Sequence, residues 1–137
     1  MNPFFSLLSA IYIFLIFWGA DSPMLSQIGE FNPFSLLHIP LYGVLTILLI
    51  LALCPGGKRT SFRLTAVVLI ALAVAILDEF HQSSIPTREG SISDVLLDAC
   101  GIFLVMKVWP RVLSLFPRLC KGAAEGNRIS ARNKRYP

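Results

Sequence analysis

Residues 62–80 read FRLTAVVLIALAVAILDEF. From 64 to 77 there is no charge, amide or aromatic residue; charges stand only at the ends, as Arg63, Asp78 and Glu79. A helix needs about 20 mainly apolar residues to cross a bilayer, and this stretch comes near that length. Three more resemble it: 4–20, FFSLLSAIYIFLIFWGA; 36–53, LLHIPLYGVLTILLILAL; and 93–109, SDVLLDACGIFLVMKVW. The last is short and carries Asp94, Asp98 and Lys107, but Lys107 can snorkel to the interface. The expectation is an all-α integral membrane protein of four transmembrane helices in an antiparallel bundle.

Composition agrees. The chain has 137 residues, 55% hydrophobic and 15% charged, where a soluble domain carries about a quarter charged residues. Its length allows one domain. Cys54, Cys100 and Cys120 are odd in number and lack metal-like spacing, so neither a disulfide framework nor a zinc site is expected. A cleaved signal peptide is disfavoured: residues 1–8 hold no Lys or Arg, and Trp18-Gly19-Ala20 puts a bulky residue where cleavage wants a small one. Turn residues separate the segments. Asp21-Ser22-Pro23 ends the first helix, Cys54-Pro55-Gly56-Gly57 the second, and Pro110 the fourth; Pro86 and Gly90 lie in the third connection.

Basic residues fix the orientation, since they stay cytoplasmic. Lys58, Arg59 and Arg63 lie between helices two and three, and eight more run from Lys107 to Arg135. Arg88 alone falls on the other side. Both termini are therefore expected in the cytoplasm, with residues 21–35 and 81–92 outside. Residues 1–109 form the membrane domain and 110–137 a basic tail. Residues 110–120 read as a short amphipathic stub at the interface, and the remainder as disordered.

Membrane helices avoid ionisable groups, so the exceptions are informative. His38 and Tyr42 open helix two, Asp78, Glu79, His81 and Gln82 close helix three, and Asp94 and Asp98 open helix four. Spacing of four puts His38/Tyr42, Asp78/Gln82 and Asp94/Asp98 each on one helix face, and all three ends point outward in this orientation. Ordinary readings exist for several. Ser91-Ile92-Ser93-Asp94 fits a capping box, with Ser91 as N-cap and Asp94 at N3. His81 reads as external and solvated, and Tyr42 as belt or packing. Asp98 lies more than a turn inside its helix and needs a partner or a proton there; Arg88, Gln82, His38 and Tyr42 are the candidates. Residue chemistry alone leaves structural, ligand-binding and catalytic roles open. Asp78, Glu79 and Asp94 are the candidate catalytic carboxylates, and His38, Tyr42, Gln82, Arg88, Ser91 and Asp98 the candidate binding or network residues. No metal, cofactor or nucleic-acid partner is expected; membrane lipids are. The oligomeric state stays open.

Gly90-x3-Asp94-x3-Asp98 resembles half of the CDP-alcohol phosphatidyltransferase signature, but the aspartates of the first half are missing at the needed spacing. A fuller resemblance runs from Asp78 to Asp98. The VanZ-like family shows D-E-x-x-Q, a short P-x-R segment, then S-x-x-D-x-x-x-N with a Gly three residues later. Asp78, Glu79, Gln82, Pro86, Arg88, Ser91, Asp94 and Gly101 fall in place, and His38 and Tyr42 match a His and Tyr of the second helix. Asp98 stands where the family has Asn, and Asn32-Pro33-Phe34-Ser35 replaces a frequent Asp-Lys. The resemblance implies a multi-pass protein of the bacterial cell membrane. The family's named member is linked to lowered susceptibility to the glycopeptide teicoplanin. The function it implies here is an envelope protein whose external cluster binds a lipid headgroup or a peptidoglycan-precursor ligand, with an enzymatic role leaning negative. The alternatives are an intramembrane enzyme acting on a lipid-linked or phosphorylated substrate, and a small proton-coupled transporter subunit.

Overall fold

The computed structural model describes residues 1–20, 36–57, 59–85 and 90–115. Among the described residues there are four α-helices and no strand: α1 Pro3–Ala20, α2 His38–Leu53, α3 Ser61–Ser83 and α4 Ile92–Leu115. α1 and α3 are long and apolar enough to cross a membrane, and α2 is a shorter apolar helix.

Each start has a local cause. Asn2 caps α1, its Oδ1 accepting the Phe4 N–H at 3.1 Å, with Pro3 at the first helical position, where its missing N–H matters least. Thr60 caps α3 through its hydroxyl oxygen, which accepts the Arg63 N–H at 3.3 Å. Ser91 precedes α4, and its Oγ accepts the Ser93 N–H at 3.2 Å. α2 ends on a turn at Pro55–Gly57, where Gly56 takes φ 64°, a left-handed value that suits glycine.

α2 is the central element. Tyr42, Leu45, Thr46, Leu49 and Ile50 are buried on it, against Val67, Ala71, Val74 and Ala75 of α3 and Ile102 of α4. α1 is tied to α2 at two levels: the Asn2 N–H reaches Ala52 O at 2.8 Å, and the Tyr12 hydroxyl reaches Leu41 O at 3.1 Å. These two contacts run in opposite order along the two helices. Between α2 and α4 the order is the same, with Ile39 against Gly101 and Gly43 against Val105. The approach at Gly101 is close: a Cβ there would stand 2.2 Å from Ile39 O.

The outside is apolar and part of the inside is charged. Phe4, Leu7, Ile11, Phe14, Leu15 and Trp18 of α1 are exposed, as are Leu69, Ile76, Leu77 and Phe80 of α3 and Leu96, Phe103 and Leu104 of α4. Asp78, Glu79, Gln82 and Asp98 are buried. Water would favour the reverse arrangement.

Two expectations need correction here. Pro110 does not end the fourth helix; α4 continues to Leu115 with Pro110 inside it. A proline removes one backbone hydrogen bond to the residue four before it, and near a helix end that loss need not stop the chain. The expected stub therefore begins as part of α4; residues 116–137 lie outside the described residues, as do 21–35.

Candidate functional site

The polar residues of α2, α3 and α4 meet at one end of the molecule. His38 stands in the first turn of α2, and its Nδ1 lies 2.9 Å from Asp98 Oδ1, two turns into α4. Asp98 is fully buried. Of the candidate partners that its sequence position allowed, His38 is in contact with it; Arg88 lies outside the described residues. One turn along α2, Tyr42 is fully buried too, and its hydroxyl donates to Asp78 Oδ2 at 3.3 Å. The His38 and Tyr42 rings lie nearly parallel, 6.4 Å apart. Gln82 follows Asp78 by one turn, buried and within reach of the same carboxylate. Helical spacing thus delivers each pair to one face, and packing brings the faces together.

Glu79 does something the sequence did not suggest. Its Oε1 accepts the backbone N–H of Ser91, at the start of α4. In a capping box that N–H goes to the residue at N3, here Asp94. The expected box is therefore corrected: Ser91 is the N-cap, but its own N–H is taken by a carboxylate from α3. The geometry requires the chain at residue 90 to pass close to α3. A Cβ on Gly90 would stand 2.8 Å from the Ser83 Cβ and 3.0 Å from Glu79 O, so only glycine fits. Gly90, immediately before the cap, is the signal in the sequence that could have pointed to this contact. Asp94 is half-buried in the same first turn.

His81 is also corrected. It is half-buried rather than solvated, and its ring sits edge-to-face on Phe17 of α1, centroids 5.7 Å apart. Its position on α3 turns it away from α2 and towards α1. Thr46 was not singled out by sequence; it is fully buried one turn below Tyr42, and its hydroxyl donates back to Tyr42 O at 2.7 Å. Arg88 lies outside the described residues, with Pro86, Thr87 and Glu89.

Three carboxylates are incompletely satisfied. Asp78 Oδ1, Glu79 Oε2 and Asp98 Oδ2 are buried with no hydrogen-bond partner among the described residues. Such an oxygen in a dry site is costly unless something donates to it. The cluster is therefore suited to receiving O–H or N–H donors. Among the described residues no group of three or more His, Cys, Asp or Glu is placed to hold a metal ion.

The opposite end carries the basic residues. Arg59 and Arg63 are half-buried there, beside the end of α2. Burial pushes the Cys54 thiol up, and the two guanidiniums pull it the other way.

Comparison with known proteins fits this organisation. Neither the curated proteins nor the solved structures yield a match. A family model described as VanZ/LLP1 matches residues 4–114, a span that takes in nearly the whole of the four helices and every residue of the polar cluster. The chain belongs to the VanZ/LLP1 family.

Proposed function

We propose that the chain is a multi-pass protein of the bacterial cell membrane, an antiparallel bundle of four membrane-crossing helices with both termini in the cytoplasm. The apolar exterior of α1, α3 and α4 supports this reading, as does the collection of basic residues at one end. A topology test follows. In a variant with Cys54, Cys100 and Cys120 replaced by serine, a cysteine at Ser83 should react with a membrane-impermeant maleimide on intact cells, and one at Lys58 should not. Labelling at Lys58 alone would invert the orientation.

The function we propose is binding of a donor-rich ligand, a lipid headgroup or a peptidoglycan precursor, at the external cluster of His38, Tyr42, Asp78, Glu79, Gln82, Arg88, Ser91, Asp94 and Asp98. The observation that carries it is the set of three buried carboxylate oxygens with no donor among the described residues. Hydroxyls and amines, common to both ligand classes, would satisfy them. Arg88, in the sequence between α3 and α4, is the residue suited to an anionic group through its fork of donors. The glycopeptide link of the family's named member comes to this chain through the same idea, a ligand held at the outer surface.

Catalysis is a second reading, with Asp78, Glu79 and Asp94 as its candidates; it is favoured by the open oxygens of Asp78 and Glu79, because a general base needs an oxygen able to take a proton. Proton transport is less well supported. Below the cluster the core residues Leu45, Leu49, Ile50, Val67, Ala71 and Val74 are apolar, and Thr46 bonds its own helix.

Native mass spectrometry of the purified protein, incubated with extracted envelope lipids, tests the proposal. A bound species is expected on the wild type and should be lost from Asp78→Asn. A bound species that is released chemically altered would favour the enzyme. No bound species, or one that Asp78→Asn leaves untouched, would sink the ligand site.

A further inference from the structure

The basic end of the molecule has a concavity. Met1, Leu53, Phe62, Arg63 and Ala66 line a space of about 390 Å³, within the size range of small-molecule sites. Three helix ends build it. The Asn2-to-Ala52 hydrogen bond fixes the start of α1 against the end of α2, and the Pro55–Gly57 turn brings the start of α3 alongside. Phe62 is 83% exposed and Met1 78%, so two large apolar side chains stand open at its rim. Arg63 follows Phe62 directly, and Arg59 is the other guanidinium near Cys54. Cations beside a helix C-terminus also complement its dipole. That would explain the arginines at the end of α2, but not an open apolar hollow next to them.

We propose that this concavity binds an anionic phospholipid of the inner leaflet, with an acyl chain against Leu53, Phe62 and Ala66 and the phosphate on Arg63 and Arg59. Basic pockets between membrane helices on the cytoplasmic side are suited to such headgroups, and here charge and apolar surface adjoin. The inference rests on the membrane placement proposed above and not on the ligand of the external cluster.

The test uses the full chain in detergent, mixed with equal amounts of dioleoylphosphatidylglycerol and dioleoylphosphatidylcholine and read by native mass spectrometry. Phosphatidylglycerol should be retained in excess. Arg63→Gln should weaken its retention about five-fold, the effect expected of one basic residue near a lipid surface, and leave phosphatidylcholine unchanged. Phe62→Ser, at an exposed position where folding is not at stake, should weaken both lipids. Equal retention of the two lipids by the wild type would overturn the proposal. So would an Arg63→Gln effect with none from Phe62→Ser, because charge alone would then explain binding. Asp78→Asn should leave phosphatidylglycerol retention as in the wild type, which separates failure here from failure of the external site.

Discussion

Gly101→Ala should destabilise the protein in detergent by about 3 kcal/mol, the upper range for overpacking a tight contact. The added methyl would stand 2.2 Å from Ile39 O, 3.0 Å from its carbonyl carbon and 3.1 Å from its Cα. All three are backbone atoms, so no side chain can turn aside and the helices themselves must part. The His38–Asp98 pair lies one turn away on the same two helices and would open with them. Gly43→Ala is the control. Its Cβ would meet Val105 Cγ2 at 3.5 Å and Gly101 O at 4.0 Å, which is ordinary contact. Alanine is also favoured over glycine within a helix by roughly 0.5–1 kcal/mol, so Gly43→Ala should be neutral or slightly stabilising. Thermal unfolding followed by circular dichroism compares the two. A Gly101→Ala protein that melts with the wild type would show that α2 and α4 do not meet there.

Asp98→Ala should cost about 3–5 kcal/mol, the usual result of removing one member of a buried pair. It leaves His38 without its partner and a void beside it. Asp98→Asn should cost about 1 kcal/mol or less, near the value of one hydrogen bond. An asparagine oxygen can still accept from His38 Nδ1, 2.9 Å away, and asparagine is what the resemblance drawn from the sequence implies for this position. Arg88→Ala should be worse than Asp98→Asn, because it removes the one Lys or Arg between Asp78 and Asp98, the only such cation that this acid-rich stretch carries. The same unfolding assay ranks all three. If Asp98→Asn were as damaging as Asp98→Ala, the negative charge itself would be required, and Asp98 would not be a variant of the family asparagine.

The helices were legible because apolar length is a one-dimensional signal. Segments expected at 4–20, 36–53 and 62–80 appear as α1 Pro3–Ala20, α2 His38–Leu53 and α3 Ser61–Ser83. The Pro110 stop failed because a proline rule weighs one hydrogen bond against an average context, and α4 has enough neighbouring turns to absorb the loss. The cluster was legible at the level of helix faces, since a period of 3.6 places Asp78 with Gln82 and His38 with Tyr42. Which face meets which is a matter of packing. That His38 takes Asp98, that Glu79 takes the Ser91 N–H and that Phe17 takes His81 depend on distances between residues far apart in sequence. Gly101 shows the same limit. Its place three residues after Asp98 could be read off the chain, but the carbonyl of Ile39 pressed against it could not.

The shortness of α2 has a consequence for the surrounding bilayer. Its 16 residues span about 24 Å at 1.5 Å per residue, against roughly 30 Å of hydrocarbon. α3, with 23 residues, and α4, with 24, reach about 34 and 36 Å. α1, with 18 residues, reaches about 27 Å, so in the proposed placement the innermost helix is the one that falls furthest short. Lipid answers such a hydrophobic mismatch by thinning locally. If the dip lies over the start of α2, where His38 meets Asp98, the leaflet would form a funnel above the buried acids. A headgroup could then settle towards them while its tails stayed in the hydrocarbon.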